Sequence, residues 1–93
     1  MLNKISWDSV QEEQLNPSIK RKMIWGDKVM VAKLEMKDGC IVPQHQHENE
    51  QITDVISGTI RFWLGEDKAE VLDLHAGESL IIPVNLPHEA LMI

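Results

Sequence analysis

From Met23 to the end of the chain, apolar and polar residues alternate in short runs separated by turn residues. In "VMVAKLEMK", Met30, Ala32, Leu34 and Met36 alternate with Val31, Lys33, Glu35 and Lys37, the period-two pattern of a half-buried strand. Asp38-Gly39 is a turn, and "CIVPQHQH" resumes as a strand in which Pro43 is tolerated near an edge or a bulge. "ENE" turns the chain into "QITDVIS", which Gly58 closes. "TIRFWL" follows, with Ile60, Phe62 and Leu64 on the face expected to be core, and Arg61 and Trp63 on the other. "EVLDL" pairs with it beyond the turn "GEDKA", "HAGE" turns again, and "SLIIP" and "HEALMI" are the last strands. Residues 1–20 are different: their periodicity is weak and Pro17 interrupts them, which predicts a lead-in arm with one helical turn.

Strands recurring about every eight to twelve residues between Gly, Pro and Asp turns predict an all-β sandwich or barrel. Ninety-three residues leave room for one hydrophobic core, so the chain reads as a single domain, 1–93. Its net charge is −6, and its longest basic run is Lys20-Arg21-Lys22, which excludes a nucleic-acid or anionic-membrane footprint. Residues 1–15 lack a signal-peptide core, and Cys40 is the only cysteine, so the expected compartment is a reduced cytoplasm. Tyrosine is absent, which removes one class of general base. The closing "LMI" is apolar in mid-strand. That predicts either a chain shortened at this point or a partner subunit over the strand, and with it a homodimer.

His45 and His47 are one residue apart, and side chains two apart on a strand share a face. Residues 41, 43, 45 and 47 then form one face, which Ile41 marks as interior. After the "ENE" turn the next strand can run back beside the first, bringing Glu50 or Gln51 towards the histidines. His88, after "IIPVNLP", is a further candidate. Three neutral imidazoles and one oxygen donor suit a divalent transition metal: manganese, iron, nickel, copper or zinc.

Two spaced motifs carry a resemblance to the cupins. Gly39, His45, His47, Gln51 and Gly58 stand at the intervals of the first cupin motif (39–58). Gly77, Pro83, Asn85, His88 and Met92 stand at those of the second (77–92). The resemblance implies a small antiparallel jelly-roll β-barrel, here one that lacks or lends its last strand. It also implies a metal held by His45, His47, Gln51 and His88. Gln51 occupies the place of the family's usual glutamate, Asn85 replaces a glycine, and Met92 replaces an asparagine. Asparagine tolerates a positive φ, so the turn at 85 survives. Glu50 is the alternative third ligand. Parity favours Gln51: if Gln51, Thr53 and Val55 face inward, Glu50 points away.

With an amide as ligand the donor set is neutral and the ion keeps its full charge, which favours anionic substrates and Lewis-acid chemistry over oxygenase chemistry. Among cupins the chain resembles the small pectin-degradation type in "IKRKMIWGDKVMVAKLEMKDG", the "HQHENEQI" core and "AGESLIIPVNLPH". That type opens unsaturated uronates, so the resemblance implies a lyase or isomerase acting on small anionic sugar derivatives. The alternative is a non-enzymatic module that binds a small ligand or a metal as a sensor. Arg61, Trp63, Trp25 and Met30 are candidates for substrate contact. Glu50, Asp54 and Glu89 are carboxylates able to move a proton, and His75 is expected to be exposed.

Overall fold

A computed structural model describes residues 2–93, whose regular elements are antiparallel strands and one short 3-10 turn. Contacts divide the chain into two compact units, Met1–Lys37 and Asp38–Ile93. No helix is long and apolar enough to cross a membrane.

The first unit holds the 3-10 turn Trp7–Ser9 and the strands β1 (Glu13–Asn16), β2 (Ile19–Trp25) and β3 (Met30–Met36), joined in the order β1-β2-β3. The helical turn expected within the first twenty residues is therefore present, but the rest of that arm is not a lead-in. Asn16 Oδ1 accepts from the Ser18 N–H at 2.8 Å and makes the Pro17 corner a turn, so the chain folds back as a hairpin. All four residues of β1 are exposed, so there was no apolar alternation by which to read it. The alternation expected for β3 is partial: Ala32 and Met36 are half-buried, whereas Met30 and Leu34 are each 50% exposed.

The second unit contains β4 (Ile41–His45), β5 (Gln51–Asp54), β6 (Thr59–Leu64), β7 (Glu70–His75), β8 (Ser79–Ile82) and β9 (His88–Met92). They form a four-stranded sheet β4-β9-β6-β7 and a two-stranded sheet β5-β8. In β6 the expected alternation is complete: Ile60, Phe62 and Leu64 are buried, and Thr59, Arg61 and Trp63 are not. Phe62 pairs with Leu72 and Ala90, and Ile60 with Leu74 and Met92, so one apolar face runs across three strands. Burying each such large side chain is worth about 1.5–3 kcal/mol, which makes this face the main source of the unit's stability. On the smaller sheet, Ile82 and the half-buried Leu80 lie opposite Gln51 and Thr53.

Two turns have backbones that explain their residues. Gly77 has φ +87° and Asn85 φ 60°, the left-handed region open to glycine and tolerated by asparagine. The asparagine in place of a motif glycine thus keeps the turn. The fold class is as expected, all-β and antiparallel. Among the described residues no strand is hydrogen-bonded across the free edges of β4 or β7, so the sheets do not close into a hydrogen-bonded barrel. The apolar last strand, β9, is hydrogen-bonded on both sides, by β4 and β6.

Candidate metal centre

The site forms where β4 ends and β9 begins. Along β4 the ladder is irregular: Val42 pairs with Ala90 and His45 with His88, three residues against two. The extra residue falls at Pro43-Gln44, where proline has no N–H to give the ladder. This bulge changes which residues share a face. Val42 and His45 lie with the buried Ala90 and His88, while Ile41 is 60% exposed. The expectation that Ile41 marks the interior face is thus corrected, although His45 is on that face. His47 is not on a strand at all; β4 stops at His45. It is held instead through its backbone, whose carbonyl accepts from the Asn85 N–H at 2.8 Å.

The three rings converge from these separate supports. Their centroids lie 4.2 Å (His45–His88), 5.3 Å (His47–His88) and 5.7 Å (His45–His47) apart. One nitrogen from each lies within 4.8 Å of the others. The tautomers are set locally. Nδ1 of His45 donates to the Pro43 carbonyl at 2.9 Å, Nδ1 of His47 to the Asn49 carbonyl at 2.8 Å, and Nδ1 of His88 to the Leu86 carbonyl at 2.8 Å. A carbonyl only accepts, so each Nδ1 carries its proton, and Nε2 of a neutral ring then holds the lone pair for a ligand bond; at His47 that lone pair faces Gln51 Oε1, which also only accepts. Backbone carbonyls here do what orienting partners do for metal-bound histidines.

His88 is 2% exposed, and its Nε2 is buried with no hydrogen-bond partner. Leaving such an acceptor unpaired costs about 1–3 kcal/mol. A cation at the convergence point removes that cost, and on this observation the residues present fit a transition metal. Burial pushes the His88 imidazole below its ordinary range, and the nearby His45 and His47 push it the same way, against its bond to Leu86. Low basicity favours the neutral form that a metal needs. His47 is half-buried and His45 exposed, so the cluster is closed at His88 and open at His45.

A candidate fourth donor, Gln51, lies on the smaller sheet. Gln51 is half-buried, and its Oε1 lies 2.9 Å from His47 Nε2; its Nε2 donates to Thr53 Oγ1 at 2.9 Å. Glu50 is exposed and precedes β5. Within the same unit, two further candidates lie on another face. On β6 Leu64 pairs with His88, so Arg61 and Trp63 point to the opposite face of the sheet and do not join the histidines. Arg61 is bound instead to Asp73, Nε to Oδ1 at 2.7 Å. Trp25 and Met30 pair with each other in the first unit and are 65% and 50% exposed. His75 is exposed, 3.1 Å from Thr59 Oγ1, and Cys40 is buried. The orienting carbonyls and the Asn85–His47 bond belong to the backbone, so no residue type in the sequence signals them.

Residues 32–91, which include the three clustered histidines, match the family model described as the cupin domain. Solved structures resemble the whole chain. KdgF from Halomonas sp. is 22% identical, with a TM-score of 0.85 over 100% of this chain and 84% of its own. An RmlC-like cupin from Shewanella frigidimarina is 20% identical, with a TM-score of 0.85 over 99% of this chain and 81% of its own. A variant of oxalate decarboxylase from Bacillus subtilis is 18% identical, with a TM-score of 0.84 over 96% of this chain but only 26% of its own. At these identities the likeness speaks for the jelly-roll fold. Among curated protein sequences none matches.

Proposed function

The chain belongs to the cupin-domain family, and on that premise we propose that it is a metal-dependent lyase or isomerase acting on small anionic, sugar-derived molecules of the uronate class. His45, His47, His88 and Gln51 are the residues that would hold the metal. The observation that carries this reading is the buried, unpartnered Nε2 of His88 beside two more imidazoles whose Nδ1 protons are fixed by backbone carbonyls. A divalent ion bound by four neutral donors keeps its full charge and supplies Lewis acidity towards a carboxylate, carbonyl or hydroxyl oxygen. The chain's own part is to position: the exposed side at His45 admits a ligand, and the buried side at His88 excludes water. The neutral donor set, which would leave the ion its full positive charge, supports an anionic substrate.

A second reading, a non-enzymatic binding or sensor module, is favoured by where the carboxylates lie. Glu50 is exposed, Asp54 is exposed and accepts from Ser79 Oγ at 2.7 Å, and Glu89 is engaged by Lys68 at 3.1 Å. Glu89 also alternates with His88 along β9 and so faces the other way. None of these three carboxylates stands with the histidines.

Metal analysis of the purified protein and of Gln51→Ala, Glu50→Ala and His88→Ala tests the site. Loss of metal from the Gln51 and His88 variants with retention in Glu50→Ala is expected; retention in all three sinks the proposal. Loss of ultraviolet absorbance from unsaturated uronates then separates the two readings. Turnover that needs the metal supports the enzyme, and binding without turnover supports the module.

A further inference from the structure

A glutamine side chain ends in two groups of nearly equal size and opposite chemistry. Its oxygen can face a cation, and its NH2 cannot. Rotation about the last torsion is broad and roughly two-fold, so Gln51 alone does not choose between the two ends. In this structure the orientation with the oxygen towards the histidines leaves the amide NH2 on its neighbour on the same face of β5. Gln51 pairs with Ile82 and Thr53 with Leu80, both on the inner side of the β5–β8 pair, and Gln51 Nε2 donates to Thr53 Oγ1 at 2.9 Å. The oxygen then faces His47 Nε2, 2.9 Å away; with the His47 proton on Nδ1 both are acceptors, an arrangement that suits a cation between them.

We propose that Thr53 is a positioning residue for metal capture: its hydroxyl accepts from the Gln51 amide and so holds the amide oxygen towards the three imidazole nitrogens. Both side chains are half-buried, so an amide N–H turned away from the histidines needs a protein acceptor, and Thr53 supplies it. Threonine suits the task because its branched Cβ restricts χ1 and favours the strand. A carboxylate at 51 would present an oxygen in either orientation and would not need this choice. The threonine therefore goes with the amide. The inference rests on the metal-site reading above.

Titration of the protein with Co²⁺, followed by its visible absorption, reads both affinity and coordination. Thr53→Val keeps the β-branch and removes the acceptor; it is expected to weaken Co²⁺ binding by about tenfold or more and to alter the band shape. Thr53→Ser restores the hydroxyl and is expected to bind nearly as the wild type does. In a Gln51→Glu background the same Thr53→Val change is expected to cost far less, since neither carboxylate oxygen is the wrong one. Far-UV circular dichroism follows the fold, and Thr53→Ala stands in if the valine variant does not fold. Wild-type affinity in Thr53→Val, or an equal loss in the Gln51→Glu background, overturns the role of Thr53 while leaving the metal site intact. Failure of the wild type to bind Co²⁺ overturns both.

Discussion

His45 and His88 face each other across the β4–β9 ladder with their ring centroids 4.2 Å apart in an edge-on contact. A regular ladder from the Val42–Ala90 pair would bring Gln44 opposite His88 and turn His45 to the outer face. The bulge at Pro43-Gln44 absorbs the extra residue, and a buried imidazole thus gains an exposed one beside it. The pair combines a dry, weakly basic donor with one that solvent can reach.

The unpartnered Nε2 makes His88 a burden to the metal-free protein and an asset to the loaded one. Substitution by leucine removes the orphan acceptor while filling much of the same space. Metal-free His88→Leu is therefore expected to melt at or above the temperature of the metal-free wild type. Metal at about a hundred times its dissociation constant stabilises a one-site protein by about 2.7 kcal/mol, or on the order of 10 °C or more in a domain of this size. That rise is expected for the wild type and not for His88→Leu. Calorimetry with and without Zn²⁺ measures both, and an equal rise in the two proteins would remove His88 from the ligand set.

Burial lowers the pKa of His88 in the folded state. The unfolded chain, with an imidazole of ordinary pKa about 6.5, then binds a proton more readily than the folded one. Stability is unaffected well above that value. It falls as the pH drops below it, until the folded-state pKa is passed. Urea midpoints of the metal-free protein are expected to decline from pH 8 to pH 5.5, and more steeply for the wild type than for His88→Leu. Parallel declines would mean that His88 is not the group responsible. Metal content is expected to drop over the same interval, because protons compete for the same lone pairs.

The sequence was legible where one period governed a whole element. In β6 strict alternation named Ile60, Phe62 and Leu64 as core, and all three are buried. The grouping of His45, His47 and His88 was legible through spacing, yet the local reasoning behind it was only partly right. Parity alone would have failed, because a bulge resets it after Val42 and because His47 lies beyond the strand. A bulge is one residue of difference between two strands far apart in sequence, so it cannot be read from either strand alone. The strand β1 was hidden for the opposite reason, since a fully exposed strand carries no hydrophobic period. Tautomer control was hidden as well, because carbonyl groups have no letter of their own.

Arg61 lies on the face of β6 opposite Leu64, the residue paired with His88, and its partner is Asp73. Hydrogen bonding to Arg61 holds the Asp73 carboxyl below its ordinary range. A carboxylate depressed in this way adds stability above the unfolded-state pKa, about 3.9, and loses it as the pH falls through the lower folded value. Arg61→Ala is expected to raise the Asp73 pKa in an NMR titration and to leave metal content unchanged. A fall in bound metal would contradict the separation of the two faces.

Asn85 joins two parts of the site by its backbone: its φ is 60°, and its N–H donates to the His47 carbonyl at 2.8 Å. The left-handed conformation costs an ordinary L-residue roughly 1–2 kcal/mol and glycine almost nothing. Asn85→Gly is therefore expected to match the wild type to within about 0.5 kcal/mol in urea unfolding, whereas the β-branched Asn85→Val loses at least about 1 kcal/mol. Relief of that strain would move the amide away from His47, whose ring has no strand to hold it. Asn85→Val is accordingly expected to bind Co²⁺ more weakly even below its unfolding transition, while Asn85→Gly keeps its affinity. Equal stability and equal affinity in the two variants would mean that the turn is free to relax without disturbing the histidines.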